Sequence, residues 1–358
     1  MIPEVLLNLR VLSRGQLVAA IRVALGEEIE RVIDTHNTAS IIFIYRHQNN
    51  PLLLKAEFGA VTATHKEIEW YRTVKDMSVD NIDLLDSYSA GNYALMLIEY
   101  IEGSATLDDM AYGDEINSET IVSAIRQAMQ FDRMLFEKTA SVSSMDQVDL
   151  FYRRKYEQRR IESEKVPFLA ELFSRPSVVI NGKNYDTPDI VMQKLESNLS
   201  INKLTPKRMG LIHGDLHCGN VLAKGKSIFL IDPNGSPVMP IEYDMGKLLH
   251  SIHGHYGSIM RGDYNLEERN AFHFSFSVNA PDVYISALAD IKQNMPREEY
   301  MRALYSEAMH FVTMLPHHAR ERRETTALFL RSVQLFDELV TAIKVDTEYG
   351  LLHNTVEL

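Results

Sequence analysis

The chain reads as an α+β protein, with a small five-stranded antiparallel sheet first and a larger, mainly helical region after it. Three observations carry this. Short apolar runs bounded by turn residues crowd residues 28–99. A single helical pattern interrupts them. From residue 104 onward the patterns are mostly helical, and strands first with helices later indicates α+β rather than alternating α/β.

Taken in order, Ser13 and Gln16 have capping-box spacing ahead of a helical pattern through Leu25, with Gly26 as its stop. Residues 28–34 and 40–46 read as strands, the second containing Ile41-Ile42-Phe43-Ile44-Tyr45. His47 to Pro51 is a turn cluster. Residues 52–57, Leu52-Leu53-Leu54-Lys55-Ala56-Glu57, are a third strand, and a helix follows over 64–75. Strands at 82–88 and 93–99 flank the turn Ser89-Ala90-Gly91-Asn92. Much later, Leu211-Ile212 and Ile228 to Ile231 are short apolar runs that read as buried strands, with Val221 and Leu222 pairing between them. Residues 174–206, with Asn181-Gly182 and several prolines, read as an insertion. There is no internal repeat and no low-complexity segment.

A chain of 358 residues is long enough for two lobes, expected at 1–100 and 101–358. Apolar content of 45% and charged content of 24% are ordinary for a globular protein. The net charge of −12 argues against a general nucleic-acid binder, which needs a basic footprint. It leans mildly toward a cationic small molecule. Cys218 is the only cysteine, which excludes an internal disulfide and a cysteine-rich zinc site. Glu4, Arg10 and Arg14 interrupt the N-terminal apolar residues, so no signal-peptide core is expected. No apolar run approaches the roughly 18 residues of a membrane span. A reduced, cytoplasmic setting is expected; the oligomeric state is open.

The most specific segment is His213-Gly214-Asp215-Leu216-His217-Cys218-Gly219-Asn220, followed by Ile231-Asp232-Pro233. It orders a carboxylate, an amide and a second carboxylate as a phosphoryl-transfer site needs them. Asp215 can orient a hydroxyl and accept its proton, while Asn220 and Asp232 can hold magnesium against nucleotide phosphates. The general kinase signature is H-R-D-x-x-x-x-N with a later aspartate in D-F-G. Here glycine replaces the arginine, and the aspartate stands in Asp232-Pro233-Asn234. This variant resembles the aminoglycoside phosphotransferase-like family, which includes choline kinases and several sugar kinases. The resemblance covers most of residues 28–250. It implies a two-lobed protein-kinase-like fold with a small five-stranded antiparallel N-lobe and a larger, mainly helical C-lobe. It also implies ATP and Mg2+ as cofactors and a small-molecule hydroxyl as acceptor.

The remaining candidates follow from that frame. Lys55 ends an apolar strand, where a lysine is out of place without a partner; in a kinase-like site it contacts the α- and β-phosphates and pairs with a helix glutamate. Its alternative is a strand-end lysine reaching solvent. Glu67 lies in the next helix, with Tyr71 and Val74 marking that helix's inward face. Thr64-His65-Lys66-Glu67 is also a capping box, so Glu67 can be spent on the helix start, which leaves Glu69 as the other partner for Lys55. The turn His36-Asn37-Thr38-Ala39-Ser40 occupies the place of a glycine-rich loop without containing glycine. Its amides and the hydroxyls of Thr38 and Ser40 can reach phosphate oxygens, or it is an ordinary polar hairpin turn. Leu97 to Gly103 looks like the family's interlobe linker, where backbone groups around Glu99, Tyr100 and Ile101 read the adenine edge.

Pro240-Ile241-Glu242-Tyr243-Asp244 resembles the family's helix start after the metal-binding aspartate, with Asp244 in support. His217 and Cys218 lie inside the catalytic loop, which places the Cys218 thiol within reach of a reagent. His250, His253 and His255 do not share one helix face and read as packed or solvated rather than metal-binding. His317-His318 reads equally as pocket lining or surface. Asp263, Glu267 and Glu268 can meet an amine on the acceptor or form a solvated helix face. Trp70 reads as core. The whole points to an ATP- and magnesium-dependent phosphotransferase acting on a sugar, amino sugar, aminoglycoside or amino alcohol. A protein kinase is the competitor among enzymes, and a nucleotide-binding pseudokinase scaffold the competitor outside them.

Overall fold

The computed structural model describes residues 1–354 apart from 8, 11–12, 35–39, 60–61, 80, 114–117, 143–144, 198–200, 236–237 and 271. The fold is α+β, and the chain forms two compact units. The first comprises 1–107, 211–215 and 219–237; the second comprises 108–210, 216–218 and 238–358.

The first unit opens with helix α1, Arg14–Leu25. The Ser13 hydroxyl accepts the Gln16 amide at 3.3 Å, and Gly26 ends the helix at φ +53°. Leu17, Ile21 and Leu25 are its buried stripe. Strands β1 (Ile29–Asp34), β2 (Ser40–His47) and β3 (Asn50–Phe58) follow. Then come helix α2 (Ala63–Asp76) and strands β4 (Leu84–Ala90) and β5 (Tyr93–Glu99). The sheet order is β1-β2-β3-β5-β4, every pair antiparallel. The β2–β3 turn is tighter than the expected cluster. Only Gln48 and Asn49 form it, both at positive φ, 53° and 66°, as a two-residue hairpin of matching twist requires. Pro51 already belongs to β3.

Alternation decides what the sheet's two faces do. Ile41, Phe43, Tyr45, Leu52, Leu54, Ala56, Tyr93, Leu95 and Leu97 share a core with Leu6, Leu17, Ile21 and Leu25. Lys55 stands between Leu54 and Ala56, so it projects from the opposite face. A one-residue slip of β3 would bury it among these apolar side chains. The short strand β6 (Ala105–Thr106) then pairs with β7 (Val221–Lys224), which pairs in turn with β8 (Ser227–Leu230). The partner on the far side of β7 is therefore Ala105–Thr106, not the expected run at Leu211-Ile212.

The second unit is built on long helices, among them Ser118–Thr139, Ile241–Ile252, Arg297–His318 and Arg322–Asn354. It also holds a four-stranded sheet that the helical patterns hid. Ser177–Ile180 and Lys183–Asp186 form a hairpin around Asn181-Gly182, both at positive φ. His273–Val278 pairs parallel with Ser177–Ile180 and antiparallel with Tyr264–Asn270. Glu267 and Glu268 thus lie on a strand, which removes the solvated helix face as one of the two readings for them.

Candidate active site

The first unit brings Lys55, Glu67 and Asp232 together. Lys55 Nζ donates to Glu67 Oε1 at 2.7 Å and to Asp232 Oδ1 at 2.9 Å. Lys55 and Glu67 are 8% and 4% exposed, whereas half of the Asp232 side chain is open. Burial alone would lower the Lys55 pKa, but Asp232 and Glu67 outweigh it and hold the ammonium charged. Burial pushes the Glu67 carboxyl up, to about 7, against the opposing pull of Lys55. Glu67 Oε2 is buried with no hydrogen-bond partner.

The choice between Glu67 and Glu69 is settled by the helix start. The N-cap of α2 is Thr62, whose hydroxyl accepts the His65 amide at 3.2 Å while the His65 ring accepts the Thr62 amide at 3.3 Å. The expected box from Thr64 to Glu67 does not form. Thr64 lies two residues past the N-cap, and its amide and hydroxyl go to Glu57, at 2.9 and 2.8 Å. Glu67 is released from capping and faces β3, with Tyr71 and Val74 buried on the same side. Glu69 pairs with Arg72 in solvent.

Asp232 has φ +52°, a strained conformation for a non-glycine residue. Four ties fix the backbone around it. His213 Nδ1 accepts the Asp215 amide at 3.3 Å, so the proton sits on Nε2, which donates to the Ile231 carbonyl at 2.8 Å. The Ile231 amide donates to the Asn220 carbonyl at 3.0 Å, and the Asn234 amide to the His213 carbonyl at 2.9 Å. The Asn81 side chain closes a two-bond ring on Leu230, at 3.1 and 3.0 Å. The Asn220 amide nitrogen donates to the Asp215 carbonyl at 2.9 Å. That aims the Asn220 oxygen away from Asp215 as the atom left for a ligand.

These donors fit magnesium. Among the described residues no three His, Cys, Asp or Glu side chains converge to hold a metal unaided. Magnesium does not need such a cage, since it is bound by one or two carboxylates together with substrate phosphates. Asp232 and the Asn220 oxygen are oxygen donors of that kind.

Helix α2 also reaches the catalytic loop. The Trp70 indole N–H donates to the Ile212 carbonyl at 3.0 Å, and its ring meets His213 edge-on at 5.5 Å. Gly235 lies so close to Lys66 that a Cβ there would stand 2.6 Å from the lysine Cβ. Neither contact, nor the Asn81 clamp, was legible beforehand; a lone tryptophan on an apolar helix face reads as packing.

The other candidates separate. Ser40 opens β2 opposite Glu57, and Thr38 lies outside the described residues. Glu99 ends β5; the Tyr100 amide donates to the Pro51 carbonyl at 3.2 Å, and the Ile101 side chain is buried. In the second unit, buried Asp244 accepts the Leu216 amide at 3.2 Å, which braces the loop as expected. Cys218 corrects an expectation. Its thiol is fully buried and pushed well up by burial, and its amide donates to Ser251 Oγ at 3.1 Å. Proximity in sequence does not expose it, so a bulky reagent has no access in the folded protein. His250 stacks on Tyr256, His253 pairs with Glu307 and Glu338, and His318 pairs with Glu324.

The model of the phosphotransferase enzyme family matches residues 45–269. No curated protein sequence matches the chain. Among solved structures, a thermostable mutant of aminoglycoside phosphotransferase APH(4)-Ia, in ternary complex with ADP and hygromycin B, aligns with a TM-score of 0.54 at 9% identity. The alignment covers 88% of this chain and 96% of that one. A choline/ethanolamine kinase family protein from Mesorhizobium loti aligns with a TM-score of 0.53 at 14% identity, covering 92% and 99%. Choline kinase LicA from Streptococcus pneumoniae aligns with a TM-score of 0.50 at 11% identity, covering 91% and 100%. At such identities the likeness establishes the kinase-like fold. Among the described residues no helix is long and apolar enough to cross a membrane.

Proposed function

The chain belongs to the phosphotransferase enzyme family, and from that premise we propose that it transfers the γ-phosphoryl group of ATP to a hydroxyl of a small molecule. The observation that carries this is the buried Lys55, held charged between fixed Glu67 and half-open Asp232. A structural ion pair needs no third charge at a strained residue. A site for a polyphosphate does, because the lysine binds phosphate oxygens and the open carboxylate faces a cation.

In this reading Lys55 contacts the α- and β-phosphates, and Glu67 fixes its direction. Ser40 and Thr38 cover the phosphates, and the main chain from Glu99 to Ile101 reads the base through groups other than the Glu99 and Tyr100 amides, which Asp83 and Pro51 take. Asn220 and Asp232 would hold magnesium, which when bound neutralises phosphate charge. Asp215 accepts the proton of the acceptor hydroxyl as its oxygen bonds to the γ-phosphorus. The bond from that phosphorus to the bridging oxygen breaks, and ADP leaves with the electron pair. Positioning and preorganised charge supply the catalysis, with little covalent chemistry from the protein. Residues 1–100 serve the nucleotide and 101–358 chiefly the acceptor, with 211–237 as the catalytic insert. The setting is cytoplasmic.

The acceptor class spans sugars, amino sugars, aminoglycosides and amino alcohols. The hygromycin B in one similar structure and the choline/ethanolamine kinase name of another support an amine-bearing member. The test is acceptor-dependent ADP release with Mg-ATP over choline, ethanolamine, aminoglycosides, amino sugars and neutral sugars. At least one is expected to turn over, and Asp232→Ala to abolish that turnover while remaining folded. A wild-type rate in Asp232→Ala would remove the metal assignment. Turnover of neutral sugars alone would reject the amine.

A further inference from the structure

The Lys55–Glu67 pair and the catalytic loop are joined by one helix. Glu67 and Trp70 sit three residues apart on α2, on adjoining positions of one face. Glu67 holds Lys55 at 2.7 Å. Trp70 holds the carbonyl of Ile212, the residue before His213-Gly214-Asp215, at 3.0 Å. Its indole also packs on His213, whose ring ties the Asp215 amide to the Ile231 carbonyl beside Asp232. Trp70 is wholly buried, so no water can replace its bond to Ile212. All of these groups lie in the first unit.

We propose that Trp70 is a positioning residue that couples nucleotide engagement at Lys55 to the placement of Asp215. The proposal rests on the phosphotransferase reading. When phosphates and a metal bind, Lys55 exchanges Asp232 for phosphate oxygens, which changes the load on Glu67. A rigid helix passes that change to the indole one turn on. The same bond keeps the loop in register, and small misplacements of a reacting group are costly in rate.

Trp70 is the chain's only tryptophan, so its fluorescence reports the coupling directly. Titrating wild-type protein with magnesium and the nonhydrolysable analogue AMP-PNP is expected to change Trp70 emission, with the dissociation constant that calorimetry gives on the same sample. Trp70→Phe keeps a ring and loses the N–H. With the acceptor found in the panel, its kcat is expected to fall about tenfold, the scale of one buried hydrogen bond, while the KM for ATP stays within about twofold. In a cycle with Glu67→Gln, the two losses in kcat are expected to be less than multiplicative, since both variants break one linkage. Calorimetric binding with unchanged emission would overturn the coupling and leave the phosphotransferase reading standing. A fall in thermal stability with kcat unchanged would reduce Trp70 to packing. No binding heat at all would bring down the nucleotide reading and this inference with it. If Trp70→Phe does not fold, the wild-type titration still decides.

Discussion

The backbone of Asp215 is pinned on both sides: its amide goes to His213, and its carbonyl receives Asn220. Its carboxylate can therefore be changed without releasing the loop. Asp215→Asn is expected to bind ATP near wild-type affinity and to lose at least about a hundredfold in kcat, the range of a positioned base. Calorimetry beside steady-state rates checks this, and parallel losses in both would make the role structural. Asp215, Asn220 and Asp232 could be singled out because the motif prescribes residue types at fixed spacing, and Lys55 because a lysine stands out at the end of an apolar strand. The strand-then-helix order favours Glu67 over Glu69, and Glu67 is the residue that pairs with Lys55, but the cap that frees it was not legible. It turned on His65 serving as the reciprocal cap, and a histidine falls outside the usual Ser/Thr-x-x-Glu/Gln pattern. The inward turn of Cys218 was equally hidden, since loop residues carry no period from which to read a face.

Helix Ile241–Ile252 carries Asp244 to the catalytic loop, so its packing matters to the site. Gly246 lies against the helix Arg297–His318, where a Cβ would stand 2.6 Å from Ser306 Cβ and 2.8 Å from the Glu307 amide nitrogen. Propensity alone would make Gly246→Ala stabilising by about 1 kcal/mol. A backbone neighbour cannot step aside, so overpacking of about 1–3 kcal/mol should win. A lower unfolding midpoint in urea, with m unchanged, is the expected result. At the helix end, Arg331 donates to the His253 carbonyl at 2.8 Å, and the His253 ring bridges Glu307 and Glu338. Burial would lower the His253 pKa, but the two carboxylates raise it to about 9 from 6.5. The folded state thus binds this proton more tightly than the unfolded chain. The stabilisation, about 3 kcal/mol, is complete below pH 6.5 and lost as pH rises through 9. Glu338 runs the other way. Burial would raise it, but His253 and Arg331 bring it down to about 2, so its share is present above pH 4.5 and lost as pH falls through 2. Unfolding measured at pH 6 to 9 should show the loss in wild-type protein and a flatter profile in His253→Gln. Identical profiles would refute the assignment.

At the scale of the whole chain, the first unit was the readable one. Its strands β2, β3 and β5 are apolar runs, β2 and β3 are joined by a two-residue turn, and β5 is buried at six of seven positions. The second unit's sheet was not readable. Lys183-Asn184-Tyr185-Asp186 is short and polar, Tyr264–Asn270 carries Glu267, Glu268 and Arg269, and the parallel pair His273 with Val179 joins distant segments. Ligand linkage gives a test at this scale. Mg-ATP at a hundredfold its dissociation constant should add about 2.7 kcal/mol to stability. A melting temperature raised by a few degrees is expected in wild-type protein and in Asp215→Asn, and a much smaller rise in Asp232→Ala. An equal rise in all three would mean that Asp232 takes no part in binding. Lys55, Glu67, Asp215, Asn220 and Asp232 all fold within a single unit, although more than a hundred residues of the other unit are threaded between the first pair and the rest. Under the phosphotransferase proposal, substitutions in that intervening stretch are expected to change acceptor choice without disturbing the groups proposed to perform the transfer. A library randomised within residues 108–210 should accordingly be rich in altered selectivity and poor in lost nucleotide binding.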